Sequence, residues 1–175
     1  PVRSFLAGAL GVDGLKPETS VDFAFGIASN LSENFSFTVD AYQIDIDDRI
    51  AVSGNIDVSG IQDFVDAGFS DEANIFTNAI DTRTKGLDFV GTYLTRFSDE
   101  NSLTITAALN VNSTEILETR SPAALTAIGQ DIVDSRAAIY LTESNPKDKF
   151  ILSANYRAGK LGLLLRGTRF GQVED

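Results

Sequence analysis

FTNAIDTRTKGLDFVGTYL, residues 76–94, changes character halfway along its length. Its first half is polar and turn-like and leads into TRTKG at residues 82–86. Its second half alternates apolar with polar or small residues through Leu87, Phe89 and Tyr93, which is the two-residue period of a β-strand. A soluble hairpin and a strand of a membrane β-barrel can both begin in this way, so the rest of the chain has to decide.

The same alternation recurs along the chain and forms three hairpins. Short polar or glycine-containing turns, at residues 29–34, 98–101 and 158–160, separate the strands within each pair. The sequence therefore predicts an all-β protein, an antiparallel up-and-down meander of long strands. The predicted strands are residues 18–28, 34–48, 86–97, 102–112, 149–157 and 161–171.

Two long connections, residues 50–75 and 113–148, join the hairpins. Soluble sandwiches usually have short connections at both ends. Transmembrane barrels of the outer membrane have short turns on one side and long loops on the other. The asymmetry of this chain therefore favours the membrane barrel.

Short helical turns are predicted inside both long connections. Ile61, Phe64 and Val65 have helical spacing in the first, and residues 123–128 could form one or two turns in the second. Residues 136–141 are extended in character and are predicted to belong to the far end of a strand.

Alternation also sorts the strand residues into two faces. In a membrane barrel the apolar face touches lipid and the polar or small residues line the lumen, whereas a sandwich turns its apolar face inward. The predicted lipid-facing residues are Val21, Phe23, Phe25, Ile27, Phe35, Phe37, Val39, Leu103, Ile105 and Leu109. The predicted lumen residues are Asp22, Asp40, Thr104, Thr106, Asn110, Ser153, Asn155 and Arg157.

The second strand changes its phase after Ala41, where the apolar positions move to Tyr42, Ile44 and Ile46. Such a change needs either a β-bulge or a change in which face is dry. At roughly 3.3 Å per residue, residues 34–48 reach about 50 Å. That length suits a strand that crosses a membrane and continues beyond it.

The composition excludes several classes of function. The 175 residues include 25 acidic and 14 basic side chains, for a formal net charge of -11, which disfavours nucleic acid as a partner. Cysteine, histidine, methionine and tryptophan are absent, so disulfides, thiol nucleophiles and histidine bases are excluded. No segment approaches the ~18 apolar residues of a transmembrane helix. We predict no catalytic residue, no metal ligand and no cofactor.

The acidic residues gather in loop-like stretches. One cluster is Asp45, Asp47 and Asp48, and a second comprises Asp63, Asp66, Asp71 and Glu72. The first cluster superficially suggests a calcium site, but it lacks the glycine and the distal glutamate of an EF-hand loop. A solvated loop surface is the favoured interpretation.

Five segments resemble consecutive strands from the C-terminal half of the barrel of a TonB-dependent outer-membrane receptor. Their order and spacing match that family from about residue 15 to residue 171. The segments are LKPETSVDFAFGI, FTVDAYQIDIDDRI, FTNAIDTRTKGLDFVGTY, LTITAALNVNSTEI and KFILSANYRAGKLGLLLRGTRFG.

The resemblance implies a transmembrane barrel of about 22 strands with a plugged lumen, in the bacterial outer membrane. It also implies the TonB energy-transducing protein as partner and uptake of a ferric siderophore, cobalamin, haem or a glycan. The chain would supply about six strands and lack the plug and the terminal strands, as its missing initiator methionine also suggests. Such a fragment is expected to self-associate through its open edges.

The resemblance makes the connections 50–75 and 113–148 the candidate ligand-binding loops. It also implies that residues 78–85 are the returning limb of an extracellular loop, and that Gly86 lets the chain enter the sheet without crowding a neighbour. The alternative is a soluble extracellular β-sandwich, a binding or adhesion module whose acidic loops hold cations or glycans. An enzyme has little support without histidine and cysteine, although carboxylate chemistry stays formally open.

Overall fold

The computed structural model describes residues 8, 10–12, 14–59, 66, 68 and 72–173. These residues form eight strands and two short helices. The elements are β1 (Thr19–Asn30), β2 (Phe35–Val52), β3 (Ile56–Asp57), β4 (Glu72–Ala73), β5 (Phe76–Arg96), β6 (Asn101–Thr119), α1 (Ala123–Ala127), α2 (Ser135–Thr142), β7 (Asp148–Ala158) and β8 (Leu161–Phe170).

Six long strands form one antiparallel sheet in the order β1-β2-β5-β6-β7-β8. β3 and β4 pair with each other in a small second sheet, inside the connection between β2 and β5. The predicted antiparallel meander is confirmed. The sheet is open, with β1 and β8 at its edges.

The turn between β7 and β8 needs a residue with a left-handed backbone. Gly159 supplies it with φ of 55°, which suits the two-residue turns that match strand twist. The Gly159 amide also donates to the Glu100 carbonyl at 3.0 Å. This contact ties the turn to the neighbouring one between β5 and β6.

The central strands extend further than predicted at the end with the long connections. β5 has 21 residues and begins at Phe76 rather than at 86, and β6 has 19 and ends at Thr119 rather than at 112. β2 has 18 residues and runs to Val52 rather than to 48. At about 3.3 Å per residue, β5 measures about 70 Å, more than twice the roughly 30 Å hydrocarbon core of a bilayer.

Residues 78–85, expected as the returning limb of an extracellular loop, lie within β5, so this polar stretch is a regular strand and not an irregular limb. Arg83 sits opposite Asp45 of β2 and Glu115 of β6. Its Nε and Nη2 donate to the two carboxylate oxygens of Asp45 at 2.7 and 2.8 Å. Because neighbouring strands provide opposite charges, the polar residues remain in the sheet.

Gly86 lies opposite Tyr42 in the middle of β5. A Cβ added at Gly86 would overlap the ring of Tyr42, meeting its Cζ and hydroxyl. The glycine therefore avoids crowding, as predicted, although the neighbour is an aromatic ring in mid-strand. The Tyr42 hydroxyl accepts a hydrogen bond from Asn110 Nδ2 at 3.4 Å.

The strand register places the predicted lipid-facing and lumen residues on opposite faces. Residues that pair directly share a face, and one such row runs through Ile27, Val39, Phe89 and Leu109. We call the face with this row the apolar face and the other the polar face.

No second layer covers the apolar face among the described residues. Phe23 and Phe25 are 65% and 73% exposed. A β-sandwich would bury these side chains against a second sheet, but the other described sheet has two strands of two residues each. The sandwich alternative is therefore not the observed architecture.

The change of phase in β2 occurs without a bulge at that point. The register against β5 is continuous from Phe35 to Ile46, and it shifts only between Ile46 and Arg49 and between Arg49 and Ala51. Tyr42 and Ile44 therefore lie on the polar face. A β-bulge at this point is therefore excluded, and a change in which face is dry stays a prediction.

The second long connection contains both helices. α1 confirms the helical turns predicted at residues 123–128, but the extended structure predicted at 136–141 was wrong, since these residues lie in α2. Asp134 caps α2 by accepting a hydrogen bond from the Ala137 amide at 2.7 Å. Among the described residues no helix has the length and hydropathy needed to cross a membrane. The helix predicted around residues 61–65 lies outside the described residues.

Candidate functional site

A polar node, formed by Lys16, Asp48, Asn78, Asp81 and Arg120, lies where β2, β5 and β6 approach the long connections. β2 bulges here, and Asp48 takes a φ of 54°. This left-handed backbone is tolerated by aspartate better than by most residues. At this bulge the Asp48 carboxylate lies in the polar node, where it forms ion pairs with Lys16 and Arg120.

Arg120 makes the strongest contacts of the polar node. Its Nη1 and Nη2 donate to the two carboxylate oxygens of Asp81 at 2.6 and 2.7 Å, and Nη2 also donates to Asp48 at 3.1 Å. Lys16 Nζ lies 2.9 Å from the other oxygen of Asp48. The hydrogen bond from Arg120 lowers the pKa of the Asp81 carboxyl, against the opposing effect of burial. Such two-pronged, charge-assisted contacts fix geometry as well as charge.

Asn78 joins the segment before β1 to the polar node. Its Nδ2 donates to the carbonyls of Lys16 and Asp48 at 2.9 and 2.7 Å, and its Oδ1 accepts from the Lys16 amide at 2.9 Å. Residues from LKPE, from DDRI and from FTNAIDTRT therefore meet at one point. These motif residues hold the bases of the long connections, which is a structural role.

Beyond the polar node, the two long connections enclose an apolar core. Leu125 and Ile132 of the second connection are completely buried, and Ile56 and Val58 of the first are 1% exposed. The buried cluster comprises Leu10, Ile56, Val58, Ile75, Ala79, Leu125 and Ile132. We call the two connections, folded around this cluster, the loop end.

Main-chain and side-chain hydrogen bonds lock the two connections together. Gln130 Oε1 accepts from the Asp57 amide at 2.9 Å, and Gln130 Nε2 donates to the Asp57 carbonyl at 3.0 Å. The Gly54 amide donates to the Ile132 carbonyl at 2.9 Å. The described parts of the two candidate ligand-binding loops are therefore one folded unit.

Asp134 adds a further link between the connections. One carboxylate oxygen caps α2, and the other accepts from the Asn55 amide at 3.3 Å. A Cβ at Gly54 would overlap the Asp134 carboxylate. Only glycine lets the first connection approach the cap this closely.

A cleft of about 460 Å³ opens between the two connections. Its walls are residues 49–55, from the end of β2 and the start of the first connection, together with Asn74, and residues between Asp134 and Leu141 from the second connection. Small-molecule sites typically have volumes of about 300–1,000 Å³. The structure thus brings both predicted loops, 50–75 and 113–148, to a single concave surface, which is the candidate functional site.

Two guanidinium groups, of Arg49 and Arg136, contribute hydrogen-bond donors to the cleft. The Asn74 amide is occupied by the carbonyls of Ser53 and Gly54, at 3.3 and 3.0 Å. Arg49 Nη1 donates to Thr82 at 3.1 Å. The guanidinium of Arg136 makes no hydrogen bond or ion pair within the described part of the chain. The cleft can therefore receive acceptor groups of a ligand.

The three neighbouring aspartates of β2 have separate partners. Asp45 binds Arg83, Asp48 belongs to the polar node, and Asp47 is exposed opposite Thr19. In the second acidic cluster, Asp63 and Asp71 lie outside the described residues. Within the described ranges, no group of three or more acidic side chains is arranged to hold a metal ion.

Sequence reasoning missed the arginines of the cleft and of the polar node. Arg49 belongs to the quoted DDRI segment, so that segment was the one available signal for it. Arg120 stands alone in polar surroundings, and its partners Asp48 and Asp81 come from distant segments. Arg136 precedes an apolar run, and no local pattern marks it as part of a cleft.

The fold defines a class of protein: an open antiparallel wall with one exposed apolar face and a folded loop end. A family model described as "TonB dependent receptor-like, beta-barrel" matches residues 3–175. The chain belongs to this family. No curated protein and no solved structure matched the chain significantly.

Proposed function

We propose that the chain belongs to a receptor of the bacterial outer membrane that takes up a scarce nutrient with energy delivered by the TonB protein. Membership of the receptor barrel family supports this role. The candidate substrates are a ferric siderophore, cobalamin, haem or a glycan. Transport rather than catalysis is the activity that this family implies.

The observation that carries the proposal is the exposed apolar face. Side chains such as Phe25 and Leu165, 73% and 64% exposed, lie on regular strands near the short turns. Hydrocarbon tails would cover these residues, as they cover the apolar band of outer-membrane barrels. The lipid bilayer is therefore part of the proposed setting.

The edges of the sheet support a larger closed structure. β1 and β8 each have one side without a strand partner in the described sheet, and a bilayer tolerates no unpaired strand edge. We place the six strands in a barrel of about 22 strands that surrounds a plug. An isolated copy of this chain would self-associate through these edges.

The loop end is the proposed site of ligand contact. Its cleft combines residues from both long connections, and its hydrogen bonds hold the lining in place. This arrangement supports recognition of a small molecule outside the membrane.

The test is uptake in the source organism. Strains lacking the gene for this protein, or lacking TonB, are compared with the parent for uptake of labelled ferric siderophores, cobalamin, haem and oligosaccharides. Uptake of one substrate is expected to fall in both strains. Unchanged uptake of the whole panel, or uptake that depends on the gene but not on TonB, would count against the proposal.

A further inference from the structure

We infer that the cleft of the loop end binds a small organic carboxylate whose remaining body is apolar. This inference rests on the proposed function and names the chemical class of its ligand. It rests on three properties of the lining: two arginines, several apolar side chains, and other polar groups that already form hydrogen bonds within the protein.

Two arginines are the cationic residues in the lining of the cleft. The formal net charge of the chain is -11, and the lining includes Arg49 from the end of β2 and Arg136 from the second connection. Arg49 donates to the Thr82 hydroxyl, and Arg136 makes no ion pair with the described residues. A guanidinium binds a carboxylate with two parallel hydrogen bonds, so these side chains suit an anionic group.

Carboxylates also lie at the cleft, and their negative charge has to be considered. Glu18 and Glu72 accept hydrogen bonds from the lining residues Ile50 and Asn55. Asp134 itself lines the cleft. Its two oxygens accept from the amides of Ala137 and Asn55 at 2.7 and 3.3 Å. Hydrogen bonds from main-chain amides disperse the charge of a carboxylate. Each of the three carboxylates accepts a hydrogen bond from a group of the protein, and none of them pairs with Arg49 or Arg136 in the described part of the chain. The arginines therefore keep their capacity to bind an external anion.

The remaining lining determines the body of the ligand. Ile50, Val52, Ala137 and Leu141 supply apolar surface, and Tyr140 stands at the cleft with 74% of its surface exposed. A ligand that covers these side chains removes apolar surface from water on both partners. A simple inorganic anion would leave that surface uncovered and would bind more weakly.

The experiment uses the protein as its native gene encodes it, purified in detergent. The probe is para-trifluoromethylbenzoate, with its neutral isostere para-trifluoromethylbenzamide, and binding is followed by fluorine NMR after subtraction of partitioning into empty micelles. The benzoate is expected to bind at least about tenfold more tightly than the benzamide, since it alone can pair with a guanidinium. Acetate, which lacks the apolar body, is expected to compete poorly.

Two variants and one matched control locate the site. Arg136→Gln and Arg49→Gln are each expected to weaken benzoate binding by about tenfold. Arg157→Gln replaces an arginine that is also exposed, but on β7 near the turns, and is expected to leave binding unchanged. Heat-induced unfolding of each variant, followed by circular dichroism, identifies any loss caused by misfolding.

The outcomes separate the ligand class from the function. Equal binding of benzoate and benzamide, no benzoate binding at millimolar concentration, or equal losses in Arg136→Gln and Arg157→Gln would each overturn the inference. Uptake of a nutrient that survives Arg136→Gln unchanged would also overturn it while leaving receptor function intact. Benzoate binding in a protein whose deletion affects no uptake would instead refute the proposed function alone.

Discussion

Similar apolar side chains are buried in the loop end but exposed in the part of the sheet next to the short turns. We call this part, residues 19–41, 87–111 and 148–170, the turn half of the sheet. In the loop end, Leu125 and Ile132 are 0% exposed and pack in a core that the chain builds for itself. In the turn half, Phe25 and Leu161 are 73% and 67% exposed, although they belong to paired strands. The difference shows that the chain buries one apolar region in its own core and leaves the other exposed. Under the proposed function, lipid covers the exposed region.

This difference also changes what an exposed side chain means. On a soluble protein a large contiguous apolar surface indicates an interaction site. Here such a surface follows the register across all six strands, as a band rather than a patch. A continuous band of this kind matches an apolar layer of limited thickness, such as the hydrocarbon core of a membrane.

The largest effect is expected from a cavity in the loop end. Leu125→Ala should destabilise the loop end by about 2–5 kcal/mol, because the side chain is completely buried. Hydrogen exchange would show the loss at the amides of Gly54 and Asp57, which bond across the two connections. Ile128→Ala is the control, since Ile128 is 43% exposed. An equal loss of protection throughout β7 would show that the loop end is no separate unit.

A charge on the apolar face tests the other side of the comparison. Ile27 is 54% exposed, so Ile27→Arg would cost little if this face met water. In a bilayer it should cost about 2–4 kcal/mol, measured as urea-dependent folding into lipid vesicles. Ala28→Arg, one residue on and on the polar face, is the matched control. Equal effects of the two substitutions would remove the distinction between the faces.

Breaking the polar node should have an intermediate effect. Arg120→Gln leaves Asp81, whose side chain is 15% exposed, without its cation, and should cost about 1–3 kcal/mol. Faster trypsin cleavage after Arg136 and Lys147 would report the loosened loop end. Glu118→Gln is the control, because Glu118 is 60% exposed and lies 3.6 Å from Arg120, a geometry that contributes little. Similar cleavage rates in the two variants would contradict a structural role of the node.

The smallest effect concerns pH. Arg120 holds the pKa of Asp81 below its ordinary value, so the ionised pair stabilises the folded loop end above about pH 4. This contribution is lost as the pH falls through the lowered pKa. A carbon NMR titration should place the Asp81 midpoint below that of an unperturbed aspartate, and Arg120→Gln should raise it. A midpoint that does not respond to Arg120→Gln would exclude this coupling.

Alternation predicted the turn half of the sheet because that half has two unlike faces. Between Phe35 and Ala41, for example, each odd position is apolar on the apolar face. The period of two residues is therefore visible in one strand alone. The hairpins, the meander and both faces followed from this pattern.

The upper parts of the central strands could not be predicted in the same way. Residues 76–85 carry polar side chains on both faces, so no period of two marks the strand. What keeps Arg83 in the sheet is its pairing with Asp45, 38 residues away. Such a partner becomes visible only when the register is known.

The error at α2 had a different cause, because its signals were present in the sequence. Asp134 precedes a run of residues with favourable helix propensity, including Ala137 and Ala138. The cleft, in contrast, depends on contacts such as Gln130 with Asp57, which are 73 residues apart. No local pattern reports the relative placement of two such connections.

The reciprocal hydrogen bonds between Gln130 and Asp57 have a consequence for loop exchange between related receptors. A chimaera that receives only one connection would leave the hydrogen-bonding groups of Gln130 or Asp57 without their partner, because the other connection would come from a different receptor. Under the proposed function, ligand specificity would therefore depend on the two connections as a pair, and grafts of both together should preserve folding where single-loop grafts fail.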